Sequence, residues 1–137
     1  MTKPFHKSPP VGQEISCVMY RVKREFLLDN SQLEKVLLGA LEKEKFSVLD
    51  VSSYNFSPQG FSFIALLAES HLAVHTYPEY GSLYFNMYSC RGPKDSEPVF
   101  NYVIKELCPE KIFFLNKGKV PADAAVLRWI AQETNYR

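Results

Sequence analysis

The sequence predicts an α+β fold, a two-layer sandwich in which an antiparallel sheet carries helices packed on one face. Two observations predict it. Short segments with strand-like apolar patterns alternate with longer helical ones in the order β-α-β-β-β-α-β-α. Each helical segment has a single apolar side, which suits packing against one face of a sheet.

The first elements follow from periodicity and turn signals. Residues 15–22 alternate loosely and predict a strand. Ser31-Gln32-Leu33-Glu34 has the form of a capping box and predicts a helix over about residues 31–45. Residues 46–55 are rich in Val, Ser, Tyr and Phe and predict a second strand, which a turn at Ser57-Pro58-Gln59-Gly60 ends.

The central elements are predicted to be three further strands. Residues 61–68 form a nearly continuous apolar run, which is typical of a buried central strand. Residues 71–77 alternate, so that one face carries His71, Ala73, His75 and Tyr77. After a break at residues 78–81, the strand pattern resumes over residues 82–90.

The C-terminal third predicts a helix, a strand and a last helix. Apolar residues from Val99 to Cys108 lie on one helical face, and residues 111–116 form the strand. Pro121 is expected to open the last helix, with Trp129 on its apolar side as a core residue. Cys108 is expected to be a small buried hydrophobe.

Composition favours a single globular domain over residues 12–137, preceded by a flexible tail at 1–11. Hydrophobic residues make up 46% of the 137, and 16 Lys plus Arg balance 15 Asp plus Glu, so no nucleic-acid partner is indicated. No apolar run approaches the roughly 20 residues that span a bilayer, and no signal peptide is evident. Three cysteines without a CxxC pair predict reduced thiols and a cytoplasmic protein.

Reactive side chains are most concentrated in Glu69-Ser70-His71-Leu72-Ala73-Val74-His75-Thr76-Tyr77-Pro78-Glu79-Tyr80-Gly81, followed by Cys90. Taken singly, each has an ordinary structural interpretation. A zinc site is one alternative, with His71 and His75 four residues apart and Cys90 or Glu79 as a third ligand. Four residues of a strand span roughly 13 Å, however, so one ion does not reach both rings, and we predict no metal.

The same stretch resembles the prokaryotic S-adenosylmethionine decarboxylases. That family carries Glu-Ser-His-Leu-x-x-His-Thr-x-Pro-Glu-x-Gly and then a cysteine. This chain matches it with Glu69-Ser70-His71-Leu72, His75-Thr76, Pro78-Glu79, Gly81 and Cys90. Upstream, the family's Phe, Pro, Gly and Ser correspond to Phe56, Pro58, Gly60 and Ser62. The resemblance covers residues 12–115 approximately.

The resemblance implies that the chain cuts itself between Glu69 and Ser70. Ser70 Oγ would attack the Glu69 carbonyl to form an ester, which needs a strained peptide and a stabilised oxyanion. His75 would then remove the Cα proton of Ser70, and Ser62 would assist. Ser70 becomes a pyruvoyl group at the start of a chain of residues 70–137, with residues 1–69 as the other chain.

The implied reaction is a decarboxylation that uses this self-derived pyruvoyl cofactor. The substrate amine would form a Schiff base with it, as in other electron-sink cofactors. Cys90 would deliver a proton to the carbon that loses carbon dioxide. Substrate contacts are expected from Phe56 and His75 on the adenine, from Glu79 on the ribose, and from Leu72.

The resemblance further implies a homodimer of cleaved protomers with sites near the interface, a small-molecule substrate, and a role in spermidine and other polyamine biosynthesis. The sequence departs from the family pattern, among other places, at Gly12-Gln13-Glu14, where the family has Gly-Arg-His, and at Tyr77, where many members have Trp. The segment Asn86-Met87-Tyr88-Ser89-Cys90-Arg91-Gly92 replaces Asp-x-Phe-Thr-Cys-Gly.

These departures leave two alternatives open. The first is ornithine or arginine as substrate, since Glu14 adds a carboxylate for a distal cation, whereas Phe56, Leu72 and Glu79 favour a nucleoside. The second is a regulatory or binding homologue that no longer processes itself. The intact Ser70 speaks against that alternative, as do His75 and Cys90.

Overall fold

The computed structural model of the chain describes residues 8–134, with side chains through Ile130. The strands are β1 Val11–Tyr20, β2 Val48–Asn55, β3 Phe61–Leu67, β4 Ser70–Tyr77, β5 Ser82–Ser89 and β6 Lys111–Pro121. The helices are α1 Arg24–Leu28, α2 Asn30–Lys43, α3 Glu97–Leu107 and α4 Leu127–Thr134. Short 3₁₀ turns lie at Pro78–Tyr80 and Ala124–Val126.

The strands form one six-stranded sheet in the order β2-β3-β4-β5-β1-β6, and each neighbouring pair is antiparallel. The N-terminal strand β1 therefore lies between two strands from the C-terminal half of the chain. This arrangement confirms the predicted α+β sandwich with an antiparallel sheet.

Helices α1, α2 and α3 cover one face of the sheet, where their buried side chains form one core with alternate residues of β1, β3, β4 and β5. On β3 the buried residues are Phe61, Phe63, Ala65 and Leu67. Between them, Ile64 and Leu66 are 49% and 54% exposed. The predicted buried central strand is therefore central but buried on one face alone, because among the described residues no helix packs on the opposite face, which we call the outer face.

The predicted face of β4 is confirmed. Leu72, Val74 and Thr76 are buried toward the helices, so the alternation of a strand places His71, Ala73, His75 and Tyr77 on the outer face. Both histidines of the central motif, His71 and His75, therefore project from the outer face.

Helix α2 begins differently from the prediction. Its N-cap is Asp29, whose Oδ1 accepts hydrogen bonds from the backbone N–H groups of Ser31 and Gln32 at 3.1 and 3.3 Å. The capping box at Ser31 is therefore wrong, because the extended residue that can turn its carboxylate back to the helix lies two positions earlier. Bonds to Ser31 and Gln32 lower the pKa of Asp29 below its ordinary value.

The last helix also begins later than predicted. Pro121 ends β6, where it pairs with Val11, and α4 starts only at Leu127. Val126 and Ile130 pack against Val11, whereas Trp129 is 52% exposed, so its predicted place in the core is wrong. Among the described residues, none of the helices has the length and apolar character needed to span a bilayer.

Two smaller expectations need correction. Cys108 is exposed, because it is the left-handed C-cap of α3 rather than part of its apolar face. The strand β1 already begins at Val11, and the Pro10 carbonyl accepts hydrogen bonds from the N–H groups of Ala122 and Asp123. The rest of the predicted tail, residues 1–7, lies outside the described part of the chain.

Candidate active site

The turn between β3 and β4 contains the motif serine in a strained conformation. Leu67 and Ser70 pair across the turn, which leaves Ala68 and Glu69 at its tip. Ser70 has a backbone φ of +143°, a value that residues other than glycine rarely adopt. A non-glycine residue in such a region stores on the order of 1–3 kcal/mol. The strain falls on the residue that follows the predicted cut.

The peptide between Glu69 and Ser70 also has a hydrogen-bond donor on its carbonyl oxygen. The Cys90 N–H donates to Glu69 O at 2.9 Å. This is the distance at which a backbone donor stabilises negative charge that develops on a carbonyl oxygen. We call Glu69, Ser70 and Cys90 the cleavage half-site.

Two neighbouring contacts fix the geometry of the cleavage half-site. Ser47 holds the turn, since its N–H donates to Glu69 Oε1 at 3.0 Å and its carbonyl accepts from the Ala68 N–H at 2.9 Å. Gly12 lets β1 approach from the other side. A Cβ at Gly12 would lie 2.5 Å from the Ser89 carbonyl oxygen, so only glycine fits without a shift.

A second group of motif residues lies at the other end of β4. Ser62 and His75 face each other on β3 and β4, and Ser62 Oγ lies 2.7 Å from His75 Nδ1. If Nδ1–H donates to this oxygen, the opposite nitrogen, Nε2, is left as the proton acceptor. The serine can thus select the tautomer in which His75 acts as a base. We call Ser62 and His75 the base half-site.

An open depression of about 290 Å³ lies beside the base half-site, and its lining includes Tyr54, Ile64 and Ala73. Its volume is at the lower end of the roughly 300–1,000 Å³ of small-molecule sites. The half-exposed Phe56 packs edge-on against the lining residue Tyr54, with ring centroids 4.8 Å apart. The depression thus has an apolar and aromatic lining and opens to solvent on the outer face.

The remaining predicted substrate contacts differ in accessibility. Glu79 is exposed in the 3₁₀ turn that follows β4. Leu72 is 0% exposed, with its side chain in the core beneath the helices. Alternation along β4 turns the Leu72 side chain away from the outer face, and its contact with a substrate stays a prediction.

The structure brings each half-site together but does not join the two within one chain. Ser70 and His75 are five residues apart on a continuous strand, which separates them by about 16 Å. A general base must come within about 3.2 Å of its proton, or act through one water. His75 therefore cannot deprotonate Ser70 of the same chain in this fold.

The other motif histidine lies next to the cleavage half-site. His71 follows Ser70, and its Nε2 lies 2.7 Å from Asn86 Oδ1. Within residues 8–134, no three His, Cys, Asp or Glu side chains lie close enough to share a metal ion. The zinc alternative therefore has no ligand set in the described part of the chain.

Sequence reasoning missed two contributors to the site. The Cys90 N–H is a backbone group, and nothing in the residue type signals it. Asn86 could have been found, because register across an antiparallel pair places it opposite Ala73, diagonal to His71.

A family model described as S-adenosylmethionine decarboxylase matches residues 13–116. The S-adenosylmethionine decarboxylase proenzyme of Thermoplasma acidophilum is 36% identical over 102 residues, which cover 74% of this chain and 78% of the relative. An arginine decarboxylase proenzyme of Pyrobaculum arsenaticum is 31% identical over 108 residues, covering 77% of this chain and 81% of the relative.

A solved structure, the adenosylmethionine decarboxylase of Aquifex aeolicus, matches with a TM-score of 0.72 and 27% identity. The match covers 85% of this chain and 92% of that chain. The fold of this chain is therefore similar to that of a solved adenosylmethionine decarboxylase.

Proposed function

Because the chain belongs to the S-adenosylmethionine decarboxylase family, we propose that it cuts itself between Glu69 and Ser70 and then acts as a pyruvoyl-dependent decarboxylase. We propose S-adenosylmethionine as its substrate and polyamine biosynthesis as its role. The observation that carries the proposal is the hydrogen bond from Cys90 N–H to the Glu69 carbonyl oxygen, at a peptide whose next residue is strained.

The cut would proceed through an ester. Ser70 Oγ bonds to the Glu69 carbonyl carbon as the C–N bond breaks, so the Ser70 nitrogen becomes an amine. The Cys90 N–H supports this step, because it meets the oxygen that becomes negatively charged. Loss of the Ser70 Cα proton then breaks the Cβ–Oγ bond and leaves Glu69 as a carboxylate. One water replaces the nitrogen, which leaves as ammonia, and a ketone remains on chain 70–137.

We further propose that the proton is taken by His75 of a second copy, in a homodimer. A two-fold axis would pass across β4 near Ala73, midway between Ser70 and His75. Such an axis makes β4 of the second copy run in the opposite direction, so that each cleavage half-site lies against the base half-site of the other copy. The exposed apolar side chains of the outer face support this arrangement, since Ile64 and Leu66 are each about half exposed.

In the decarboxylation, the pyruvoyl group would supply the carbonyl that accepts the electrons of the breaking bond to carbon dioxide. The thiol of Cys90, a residue of the cleavage half-site, would donate a proton to the carbon left behind. The exposed rings of Phe56 and His75 would hold the adenine between them, and the Glu79 carboxylate would accept hydrogen bonds from the ribose hydroxyls.

Arginine is a second candidate substrate, supported by the arginine decarboxylases among the relatives and by Glu14. Glu14 is in the same cross-strand row as Tyr88 and His71, two strands from β4. That places it about 10 Å from the start of β4. Asn116 holds its carboxylate through a 2.6 Å hydrogen bond. A carboxylate there would pair with the guanidinium of an arginine attached at Ser70.

Intact mass of the denatured protein tests the cut. We expect two chains, residues 1–69 and 70–137, the second with a ketone at its first residue, whereas Ser70→Ala should stay whole at 15.7 kDa. Ser31→Ala, an exposed serine at the start of α2, should cut normally as the matched control. A wild-type chain that stays whole would overturn the proposal. Carbon dioxide release from S-adenosylmethionine, arginine and ornithine in parallel identifies the substrate.

A further inference from the structure

Arg91, the residue after Cys90, has its guanidinium held by an aromatic ring, two carbonyls and a carboxylate. The group stacks on the Phe46 ring at 3.6 Å. Its Nη1 and Nη2 donate to the carbonyls of Lys45 and Glu44, both at 3.0 Å, where α2 ends. Its Nε and Nη2 donate to the Asp95 carboxylate at 2.6 and 3.3 Å. An arginine bound so completely is a fixed part of the fold rather than a solvated surface cation.

The same network fixes the backbone on both sides of Cys90. Asp95 Oδ2 accepts a hydrogen bond from Ser89 Oγ at 2.6 Å, and Ser89 Oγ accepts one from the Arg91 N–H at 3.2 Å. At the far end of this loop, Gln13 binds Ser96 through two hydrogen bonds of 2.9 Å. Cys90 is thus flanked by residues that cannot move independently of the helix layer.

One short segment, residues 44–47, contacts Glu69 directly and reaches Cys90 through its neighbour Arg91. Ser47 holds Glu69 directly through its backbone. The carbonyls of Glu44 and Lys45 hold Cys90 through Arg91. The residues that provide the donor and the acceptor of this hydrogen bond are therefore both held by residues 44–47. The distance between the Cys90 N–H and the Glu69 carbonyl oxygen depends on that segment.

We propose that Arg91 is a positioning residue for self-cleavage, which holds the Cys90 N–H against the Glu69 carbonyl oxygen. The proposal rests on the proposed function. It concerns a position at which the sequence departs from the pattern of the resembling family, which commonly has glycine directly after the cysteine. Lysine cannot substitute, because a single ammonium group cannot reach the two carbonyls of the turn after α2 and a carboxylate in one plane while stacking on Phe46.

Arg91→Ala should slow self-cleavage about 100-fold, the usual cost of a misplacement of about 1 Å in a reacting group. Arg21→Ala is the matched control, because Arg21 forms an exposed ion pair with Glu110, with the two side chains 80% and 63% exposed, and it should leave the rate unchanged. Free guanidinium, added well below denaturing concentrations, should refill the gap in Arg91→Ala and restore cleavage. Slow cleavage that guanidinium does not restore would refute the positioning role.

A second readout identifies the step. His75→Ala should stop at the ester, which hydroxylamine cuts at Ser70, and adding Arg91→Ala should remove that hydroxylamine-sensitive ester. A double variant that accumulates ester as fast as His75→Ala contradicts the proposal. Arg91→Lys keeps the charge and the stem over Phe46, so it provides a folded variant if the alanine form fails to fold. It should cut at least 10-fold slower than wild type, and a wild-type rate would overturn the inference.

These results separate the two proposals. If the wild-type chain stays whole, the proposed function fails, whatever Arg91 does. If the wild type cuts itself and Arg91→Ala cuts equally fast, only the role of Arg91 fails.

Discussion

Co-expression of Ser70→Ala with His75→Ala tests whether the two half-sites meet across a dimer. Each variant alone should stay uncut, since one lacks the serine and the other the base. In a mixed dimer, one site combines the Ser70 of one copy with the His75 of the other and should work. Neither variant should cut within its own chain, because Ser70 and His75 lie about 16 Å apart along β4. This distance is far beyond the roughly 3.2 Å reach of a general base.

The magnitude follows from random pairing. With equal amounts of the two chains, about half the dimers are mixed and each has one complete site. About half of the His75→Ala chains, and none of the Ser70→Ala chains, should therefore be cut. Mass spectrometry distinguishes the products, because every fragment of residues 70–137 should carry the His75→Ala substitution. Mixed dimers that contain no cut chain would refute the shared site, and cutting of His75→Ala by itself would refute the histidine as base.

Three further expectations follow from local geometry. Ser62→Ala should slow the cut about 5-fold and let ester accumulate, since one hydrogen bond of about 1 kcal/mol orients His75; a wild-type rate would show that the serine does not set the tautomer. Gly12→Ala should slow the cut and lower the melting temperature because its Cβ meets a backbone oxygen at 2.5 Å, whereas Gly92→Ala, with open space around it, should not; equal effects would contradict the close approach. Burial raises the pKa of the Cys17 thiol from 9.0 to about 12, so the unfolded chain loses this proton first and stability should fall as pH rises from 9 toward 12. Urea unfolding should show a slope up to about 1.4 kcal/mol per pH unit steeper than in Cys17→Ala; parallel slopes would refute it.

The sequence predicted the inner strands of the sheet well because β1, β3, β4 and β5 bury alternate residues on one face. Alternation located β4 and the side of it that His75 occupies, and the strong apolar face of α2 located that helix. The five-residue helix α1 was missed, since it is too short to show a period. Pro121 was misassigned because proline suits the end of an edge strand as well as the start of a helix.

The candidate site was predicted in its residues but not in its layout. Sequence neighbours such as Ser70 and His75 were treated as one cluster, although the strand arithmetic that separates His71 from His75 separates this pair as well. The direction of the Leu72 side chain was not predicted either, because a motif position records a family pattern without saying whether a side chain turns to the core. The role of the Cys90 backbone depended on pairing across the sheet, which only the fold reveals.

The position of β1 between β5 and β6 has a consequence for the mature protein. A cut after Glu69 would leave β1, β2 and β3 on one polypeptide and β4, β5 and β6 on the other, yet β1 would remain hydrogen-bonded along both of its edges to strands of the second polypeptide. The fragments would stay interleaved in a single sheet, so neither could leave without breaking three ladders, those of β1 with β5, β1 with β6 and β3 with β4. Reassembly after denaturation would be a bimolecular event that depends on concentration, whereas the uncut chain folds as one molecule. The continuous backbone would therefore be needed only while the sheet folds, and the cut would follow once the sheet has formed.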